Sequence, residues 1–316
     1  MKRIVLLFII MFGCVYMAQS QRDAQLNQYY ALIGYYNPAS AGRSGNLDVA
    51  AMYNVKWIGW NGSPVTMLAA ANMPFKFLNK EHGVGVVVMS DKESSMYGSL
   101  NAGLQYAFLK KIKKGTLRVG VQLGMASMTI DGSGFVAPVD SLGNDGGTDE
   151  AIPASKADSK AFDANFGIYY STDKWYVGAA VTHIFEPEFE EESFSSFINR
   201  GYNFTGGYNI RMKNSLLELQ PSVFVQTNFN MYQVDVTART VYAKRYSAGL
   251  TWRTNDAVII LLGATFGKIE GGYAYAIPLS AARKGTFGGQ ELFLKYRMQL
   301  NKPKTGMSRH KSVRIL

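Results

Sequence analysis

The sequence has little of what several classes of protein need. Its 316 residues include one cysteine, Cys14, and three histidines, His82, His183 and His310. Removal of a leader that contains Cys14 would leave no disulfide and no thiolate chemistry. The histidines do not form a His-Glu-x-x-His zinc motif, and there is no Gly-x-Ser-x-Gly nucleophile elbow. We therefore expect a protein that is not an enzyme and that needs no metal and no cofactor.

Long apolar runs are absent after the first twenty residues. A transmembrane helix needs about 20 consecutive apolar residues, so the rest of the chain does not cross a membrane as helices. The start has two basic residues, an apolar run over Ile4–Tyr16 and small residues at Ala18–Ser20. This order predicts a cleaved signal peptide over residues 1–20. A lipoprotein acylated at Cys14 is the alternative.

Alternation of apolar and polar residues at a period of two is abundant. In Leu47–Trp57, side chains such as Val49 and Tyr53 fall on one face, and Asp48 and Asn54 fall on the other. This pattern is typical of a strand with one face in lipid and one face in a lumen. Fourteen segments are candidate strands, centred on Leu47–Trp57, Pro64–Met73, Val84–Ser90, Met96–Phe108, Leu117–Met128, Phe162–Tyr170, Trp175–Ile184, Tyr202–Ile210, Leu217–Gln226, Tyr232–Thr240, Tyr246–Trp252, Val258–Phe266, Ile269–Ile277 and Gln290–Met298.

These segments predict an all-β fold, a single outer-membrane β-barrel of about fourteen antiparallel strands over residues 47–300. A soluble β-sandwich or propeller also alternates and is the alternative. The connections favour the barrel, because tight turns (Ser171–Lys174, Lys213–Ser215) alternate with long loops (Thr129–Ala161, Phe185–Asn199). In an outer-membrane barrel the tight turns are periplasmic and the long loops are external.

Charge is segregated in the same way. The formal net charge is +10, yet acidic residues collect in the two long loops. The acids of Asp140–Glu150 lack the alternating spacing of a calcium loop, so we expect a flexible acidic loop there. Nucleic acid is excluded as a partner by the predicted export of the chain. Basic residues collect at a predicted inner turn and in the C-terminal tail, at Lys110, Lys111, Lys113, Lys114, Lys302, Lys304, Arg309, Lys311 and Arg314.

The segment between the predicted signal peptide and the first strand, residues 21–46, is too long for a simple lead-in. Asn37-Pro38 marks a turn, and the small residues that follow allow close packing against a wall. We expect this segment to fill the lumen as a plug or to cover the periplasmic mouth. The predicted organisation is a signal peptide (1–20), a plug or periplasmic segment (21–46), the barrel (47–300) and a basic periplasmic tail (301–316).

Several short motifs occur in the order and spacing of a known family. They are Gln28-Tyr29, Asn37 to Gly42, Lys56-Trp57 and Gly62 to Thr66, followed along the chain by Gly83 to Gly85 with Asp91, Phe166 to Tyr170, Tyr176 to Gly178 with His183, Leu219 to Ser222, Gly272 to Tyr275 and Gly289 to Glu291. The chain resembles the PorP/SprF family, outer-membrane proteins of the type IX secretion and gliding-motility machinery of Bacteroidota. Lys56 replaces a usual glutamine, and the chain continues past Leu300 where such barrels commonly end on an aromatic residue.

The resemblance implies a non-enzymatic role in the outer membrane. The barrel would anchor a surface protein, often an adhesin, that carries a type IX sorting domain, or would assist its export. Its partners would be that surface protein, periplasmic ring proteins, a peptidoglycan-linked lipoprotein and outer-membrane lipid, with the basic inner turn and tail as docking residues. The motif positions carried over as plug and first-hairpin residues are Asn37, Pro38, Ala39, Gly42, Trp57, Gly62, Pro64 and Thr66.

Two other functions suit a barrel of this size. Fourteen strands and an N-terminal Asn-Pro-Ala segment are also similar to the FadL-like transporters of hydrophobic small molecules. Such a transporter needs an apolar pocket in the lumen, whereas the inward positions here are mostly polar. A general porin is the third hypothesis, and a plug leaves little room for its water-filled channel.

Overall fold

The structure is a computed structural model that describes residues 23–133, 155–191, 194–212, 216–279 and 285–300. The predicted signal peptide, the acidic stretch 140–150 and the basic tail lie outside these residues and stay predictions. Within the described residues, no helix is long and apolar enough to cross a membrane.

Nearly all of the regular secondary structure in the described chain is strand. In chain order they are β1 (Leu47–Val55), β2 (Val65–Phe77), β3 (Lys80–Lys92), β4 (Tyr97–Ile112), β5 (Gly115–Asp131), β6 (Lys156–Ser171), β7 (Trp175–Thr182), β8 (Glu188–Glu191), β9 (Phe194–Phe197), β10 (Gly201–Tyr208), β11 (Ile210–Arg211), β12 (Leu217–Thr227), β13 (Tyr232–Tyr242), β14 (Tyr246–Arg253), β15 (Ala257–Phe266), β16 (Ile269–Pro278) and β17 (Gly289–Met298). A 3-10 helix spans Pro38–Ser40.

Fourteen of these strands close into an antiparallel barrel. Each strand pairs with its neighbours in sequence, β10 pairs with both β7 and β12, and β11 continues β10 along β12. The first and last strands complete the closure, with Leu47 opposite Met298 and Val55 opposite Gln290. Closure leaves no unpaired sheet edge, which is what a β-structure requires to cross lipid. The prediction of a fourteen-stranded barrel is confirmed.

The alternation in the sequence becomes an outward apolar face and an inward, mostly polar face. In β1, Val49 and Tyr53 are 45% and 46% exposed, whereas Met52 and Asn54 are 4% and 0% exposed. The outward residues cover the barrel with apolar surface that suits lipid. The inward residues are buried from solvent, so other parts of the chain must fill the lumen next to them.

The two ends of the barrel differ in their connections. At one end, here called the short-turn end, connections span residues 78–79, 113–114, 172–174, 212–216, 243–245 and 267–268. At the other, here called the long-loop end, they include residues 56–64, 132–155, 183–200 and 279–288. β1 begins at the short-turn end and β17 ends there. By the general rule for such barrels, the short-turn end faces the periplasm.

The two strands that flank the first long loop, β5 and β6, are longer than the alternation predicts, whereas β7 is slightly shorter. β6 begins at Lys156 and not at Phe162; the prediction missed its first residues because they are charged and resemble a loop in sequence. The hairpin of β8 and β9 is a second difference, since a glutamate-rich segment does not indicate a strand. Phe189 of this hairpin is fully buried against Met128 and Ile198, which explains how so acidic a segment is held on the barrel.

Candidate functional site

Residues 23–46, here called the lumenal segment, lie inside the barrel. Residues 24–42 are almost all buried, and the segment runs from the long-loop end towards the short-turn end. It is held in a compact path by successive turns, such as Ala31 N–H to the Gln28 carbonyl at 2.9 Å and Asn37 N–H to the Ile33 carbonyl at 2.9 Å. It contains no regular strand, so its fixed position depends on contacts with the barrel wall.

An acid and a base of the wall hold the start of the segment at the long-loop end. The Glu291 carboxylate accepts hydrogen bonds from Asn27 N–H at 2.6 Å and Gln28 N–H at 2.7 Å. Arg253 donates to the Leu26 carbonyl at 3.0 Å and forms a buried ion pair with Asp235 at 2.9 Å. These wall charges therefore have partners within the protein.

A histidine next to β7 joins the first described residue to the wall. His183 Nε2 lies 2.7 Å from Asp23 Oδ1, and its Nδ1 lies 2.7 Å from Asp163 Oδ2 as an ion pair that is poorly aligned for a hydrogen bond. Burial by itself lowers the pKa of His183, but the two carboxylates outweigh it and raise that pKa to about 10. Burial raises the pKa of Asp23, yet His183, Thr182 and Tyr35 together hold it below its usual value. The imidazole is thus a cation between two anions.

Aromatic side chains pack the middle of the segment. Tyr29 stacks on Phe224 with ring centroids 4.9 Å apart, and Tyr36 packs on the same ring at 4.6 Å. The Tyr29 hydroxyl lies 2.7 Å from Ser222 Oγ, and the Tyr36 hydroxyl donates to the Ala24 carbonyl at 2.8 Å. Burial raises the pKa of Tyr36 well above its ordinary value, so this phenol stays protonated and keeps donating.

The Asn-Pro-Ala-Ser-Ala-Gly motif lies directly on the barrel wall. Asn37 caps the 3-10 helix by accepting from Ala39 N–H at 3.0 Å, and its Nδ2 donates to the Ile168 carbonyl at 3.1 Å. Glycines of β3, β5 and β6 face it. A Cβ at Gly120 or Gly167 would overlap Ala39 or Asn37. The motif and the wall glycines therefore form one close-packed contact.

Gly42 ends this contact in a conformation that favours glycine. Its φ is +68°, its N–H donates to Asn72 Oδ1 at 3.1 Å, and a Cβ there would lie 3.0 Å from Gly83 Cα. Both the backbone angle and the lack of space disfavour a side chain.

The remaining motif residues lie at the opposite end of the barrel. Trp57, Gly62 and Pro64 belong to the connection from β1 to β2 at the long-loop end, where Trp57 packs on Trp60 with centroids 5.6 Å apart. Thr66, inside β2, donates to Asp91 Oδ1 at 2.6 Å. The predicted motif set therefore divides into a plug group and a hairpin group that do not meet.

The predicted basic turn lies on the surface of the short-turn end. Lys110, Lys111, Lys113 and Lys114 are exposed, and Lys111 pairs with Glu81 at 3.8 Å. The other three have no ion pair within the described residues. Further exposed bases lie on neighbouring turns of the same end, at Lys80, Lys174, Lys244, Arg245 and Lys268. The tail bases Lys302, Lys304, Arg309, Lys311 and Arg314 lie outside the described residues.

Sequence reasoning missed the charges that hold the lumenal segment. Glu291, Arg253 and Asp235 are inward positions of strands whose outward positions are apolar. The alternation of these charged residues with apolar neighbours marks them in the sequence as lumen-facing. The sequence does not indicate which residues they contact, since Glu291 and Asn27 are 264 residues apart.

The fold and the occupied lumen define a closed, fourteen-stranded membrane β-barrel with an internal N-terminal segment. Three solved structures are similar to this chain. The mutant monoaromatic hydrocarbon channel TodX deltaS2S3 has a TM-score of 0.50 at 11% identity, over 85% of this chain and 94% of that chain. A FadL homologue of Pseudomonas aeruginosa has a TM-score of 0.48 at 12% identity, over 85% and 94%. The toluene transporter TbuX of Ralstonia pickettii has a TM-score of 0.48 at 12% identity, over 84% of this chain and 92% of that chain.

No curated protein sequence matches the chain. The family model of the type IX secretion system membrane protein PorP/SprF matches residues 18–296. The chain belongs to the PorP/SprF family, and the resemblance found in its motifs is confirmed. Family and fold together support a location in the outer membrane.

Proposed function

We propose that this protein is a non-enzymatic outer-membrane component of the type IX machinery that anchors, or assists the export of, a surface protein with a type IX sorting domain. Its short-turn end would dock the periplasmic ring proteins or a peptidoglycan-linked lipoprotein. The observation that carries the proposal is the match of the family model over residues 18–296, nearly all of the described chain.

The charge of the short-turn end supports the docking role. Lys110, at the end of β4, and Lys113 and Lys114, in the turn to β5, have no ion pair among the described residues, and further bases lie on adjacent turns. Complementary charge speeds association and selects the partner. A partner with an acidic face would therefore be favoured here. The tail bases, by their position after β17, would extend the same surface.

The fixed lumenal segment supports a scaffold over a conduit. Hydrogen bonds reach it from Glu291, Arg253, Asn72 and Gln105, which belong to strands on several sides of the barrel. Moving it out would break all of them. The hairpin group at Trp57, Gly62 and Pro64 stands at the external end, where a sorting domain would arrive.

A FadL-like transporter of hydrophobic small molecules is the second candidate, and the fold similarity to the TodX mutant channel favours it. The cavity in the lumen argues against it, because Arg43, Asp48, Arg239, Lys295 and Arg297 line a volume of about 450 Å³. An apolar ligand would displace water from these charged side chains without replacing its hydrogen bonds, which costs free energy.

Purification of a tagged copy from native membranes in gentle detergent, with partners identified by mass spectrometry, separates the two candidates. Recovery of a large exported protein with a type IX sorting domain, or of periplasmic ring subunits, is the expected result. A barrel that carries only lipid or a hydrophobic small molecule would contradict the anchoring function and favour the transporter.

A further inference from the structure

The lumen contains a cavity between the lumenal segment and the short-turn end. Its volume is about 450 Å³, within the range of about 300–1,000 Å³ that small-molecule pockets occupy. Ser171, Thr172 and Asn209 line it at the short-turn end, and Tyr30 and Ala31 of the lumenal segment line its other side. This space is called the chamber below.

Three cationic side chains of the chamber have no carboxylate partner within the described residues. They are Arg43, Arg239 and Lys295. Arg43 donates to the Tyr169 hydroxyl at 2.8 Å, and Lys295 donates to the Ala31 carbonyl at 2.6 Å. These partners are neutral, so they orient the two cations without cancelling their charge.

Arg239 is held in a similar way. Its guanidinium lies 4.1 Å from the centroid of the Tyr30 ring and donates to the Gln220 side chain. Stacking on one face of the guanidinium leaves the N–H donors on its edge available for further acceptors. All three cations are thus positioned by neutral groups around one shared space.

One acid, Asp48, lines the chamber and attracts Arg43 and Lys295, but a single carboxylate does not balance the four cations of the lining. Asp48 pairs with Arg297 at 3.2 Å, and Arg297 also pairs with Glu270 at 3.4 Å. Both acids are therefore engaged by a fourth cation. An excess of positive charge remains inside a low-dielectric wall, which concentrates the field and attracts anions.

We propose that the chamber binds a small anion with carboxylate or phosphate groups, which enters from the short-turn end. Arginine recognises both groups through paired, charge-assisted hydrogen bonds. Tyr169 and Tyr176 line the same space. The inference is independent of the proposed docking of partner proteins, because its residues line the lumen and not the outer turns.

Isothermal titration calorimetry on the full-length protein in detergent at low salt tests this inference. Citrate is the carboxylate probe and inorganic pyrophosphate is the phosphate probe. We expect saturable binding of at least one, and the tighter of the two identifies the chemistry of the ligand. The double variant Arg43→Gln, Arg239→Gln should weaken that binding by about tenfold or more, as loss of charged hydrogen bonds does.

The matched control is Lys244→Gln, Arg245→Gln, which removes two charges from an exposed turn of the same end and should keep the affinity of the unmodified protein. A folded barrel migrates differently on gels before and after heating. If the double chamber variant does not show this shift, Arg43→Gln alone serves, because it removes only the hydrogen bond to the Tyr169 hydroxyl. Absence of saturable binding of both probes would overturn the inference. Equal weakening of probe binding in the chamber and control variants would also overturn the inference, because it would indicate an adventitious ion only, attracted by the overall positive charge.

Discussion

The charged side chains on the two sides of the lumenal segment differ in whether they have a partner of opposite charge. On the long-loop side, Arg253 is paired with Asp235, and His183 lies between two carboxylates. On the short-turn side, Arg43 and Arg239 face a cavity with only neutral partners among the described residues. The paired charges of the long-loop side hold the segment in place. The cations of the short-turn side remain available to bind an anionic ligand. Removal of a charge should therefore have different consequences on the two sides.

The largest effect is expected from Arg253→Leu. The substitution leaves Asp235 buried and unpaired, which costs about 3–5 kcal/mol in comparable buried pairs. Arg239→Leu, on the other side, should cost about 1 kcal/mol because it removes mainly a cation–π contact. Urea unfolding of both variants in lipid vesicles measures the two losses. Equal losses would contradict the difference between the two sides.

The next largest loss of stability is expected where the Asn37 to Gly42 motif packs on the wall glycines. Gly167→Ala places a Cβ against Asn37 and should destabilise the barrel by about 1–3 kcal/mol, as overpacking does. It should also increase proteolysis of the lumenal segment. Gly98→Ala is the matched control, since its Cβ would make ordinary contact at 3.7 Å from the Asp91 carbonyl. If both variants behave alike, the motif does not depend on the glycine wall.

The barrel strands are predictable from the sequence because period-two alternation determines which face of a strand meets lipid. All fourteen barrel strands were predicted in this way, with their ends uncertain by several residues where charges extend beyond the lipid. The Asn37 to Gly42 motif was recognised as a close-packing element from its small residues. The contact of Glu291 with Asn27 and Gln28 was not predictable, since it exists only once the barrel closes. The β8–β9 hairpin was missed because its sequence is rich in glutamate, although Phe189 within it is buried against the barrel.

The third effect is a pH dependence confined to the long-loop side. Because the pKa of His183 is raised from 6.5 to about 10, its ion pairs stabilise the fold fully below pH 6.5. This contribution decreases as the pH rises above 6.5 and is lost once the pH passes about 10. The Asp23 contribution, with a lowered pKa, is lost only in acid. Unfolding of the unmodified protein and of His183→Gln between pH 6.5 and 10 should converge. Parallel curves would mean that His183 is not charged in the folded state.

The smallest effect on stability is expected at the exposed turn. Lys110→Gln, Lys113→Gln and Lys114→Gln together should change the free energy of unfolding by less than about 0.5 kcal/mol per site, because exposed charges contribute little. Thermal unfolding monitored on gels checks this expectation. A large loss of stability would show that the turn is part of the folding core and not a free surface.

The same triple variant gives the most direct test of the proposed role. Its matched control is Lys92→Gln, Lys156→Gln, Lys160→Gln, which removes three exposed charges from the long-loop end. Both tagged proteins are purified from native membranes, and the recovery of type IX ring subunits or a peptidoglycan-linked lipoprotein is quantified by mass spectrometry. We expect recovery to fall several-fold with the short-turn variant and to stay unchanged with the control. Full recovery with the short-turn variant, or an equal fall in both, would contradict a docking surface at the short-turn end.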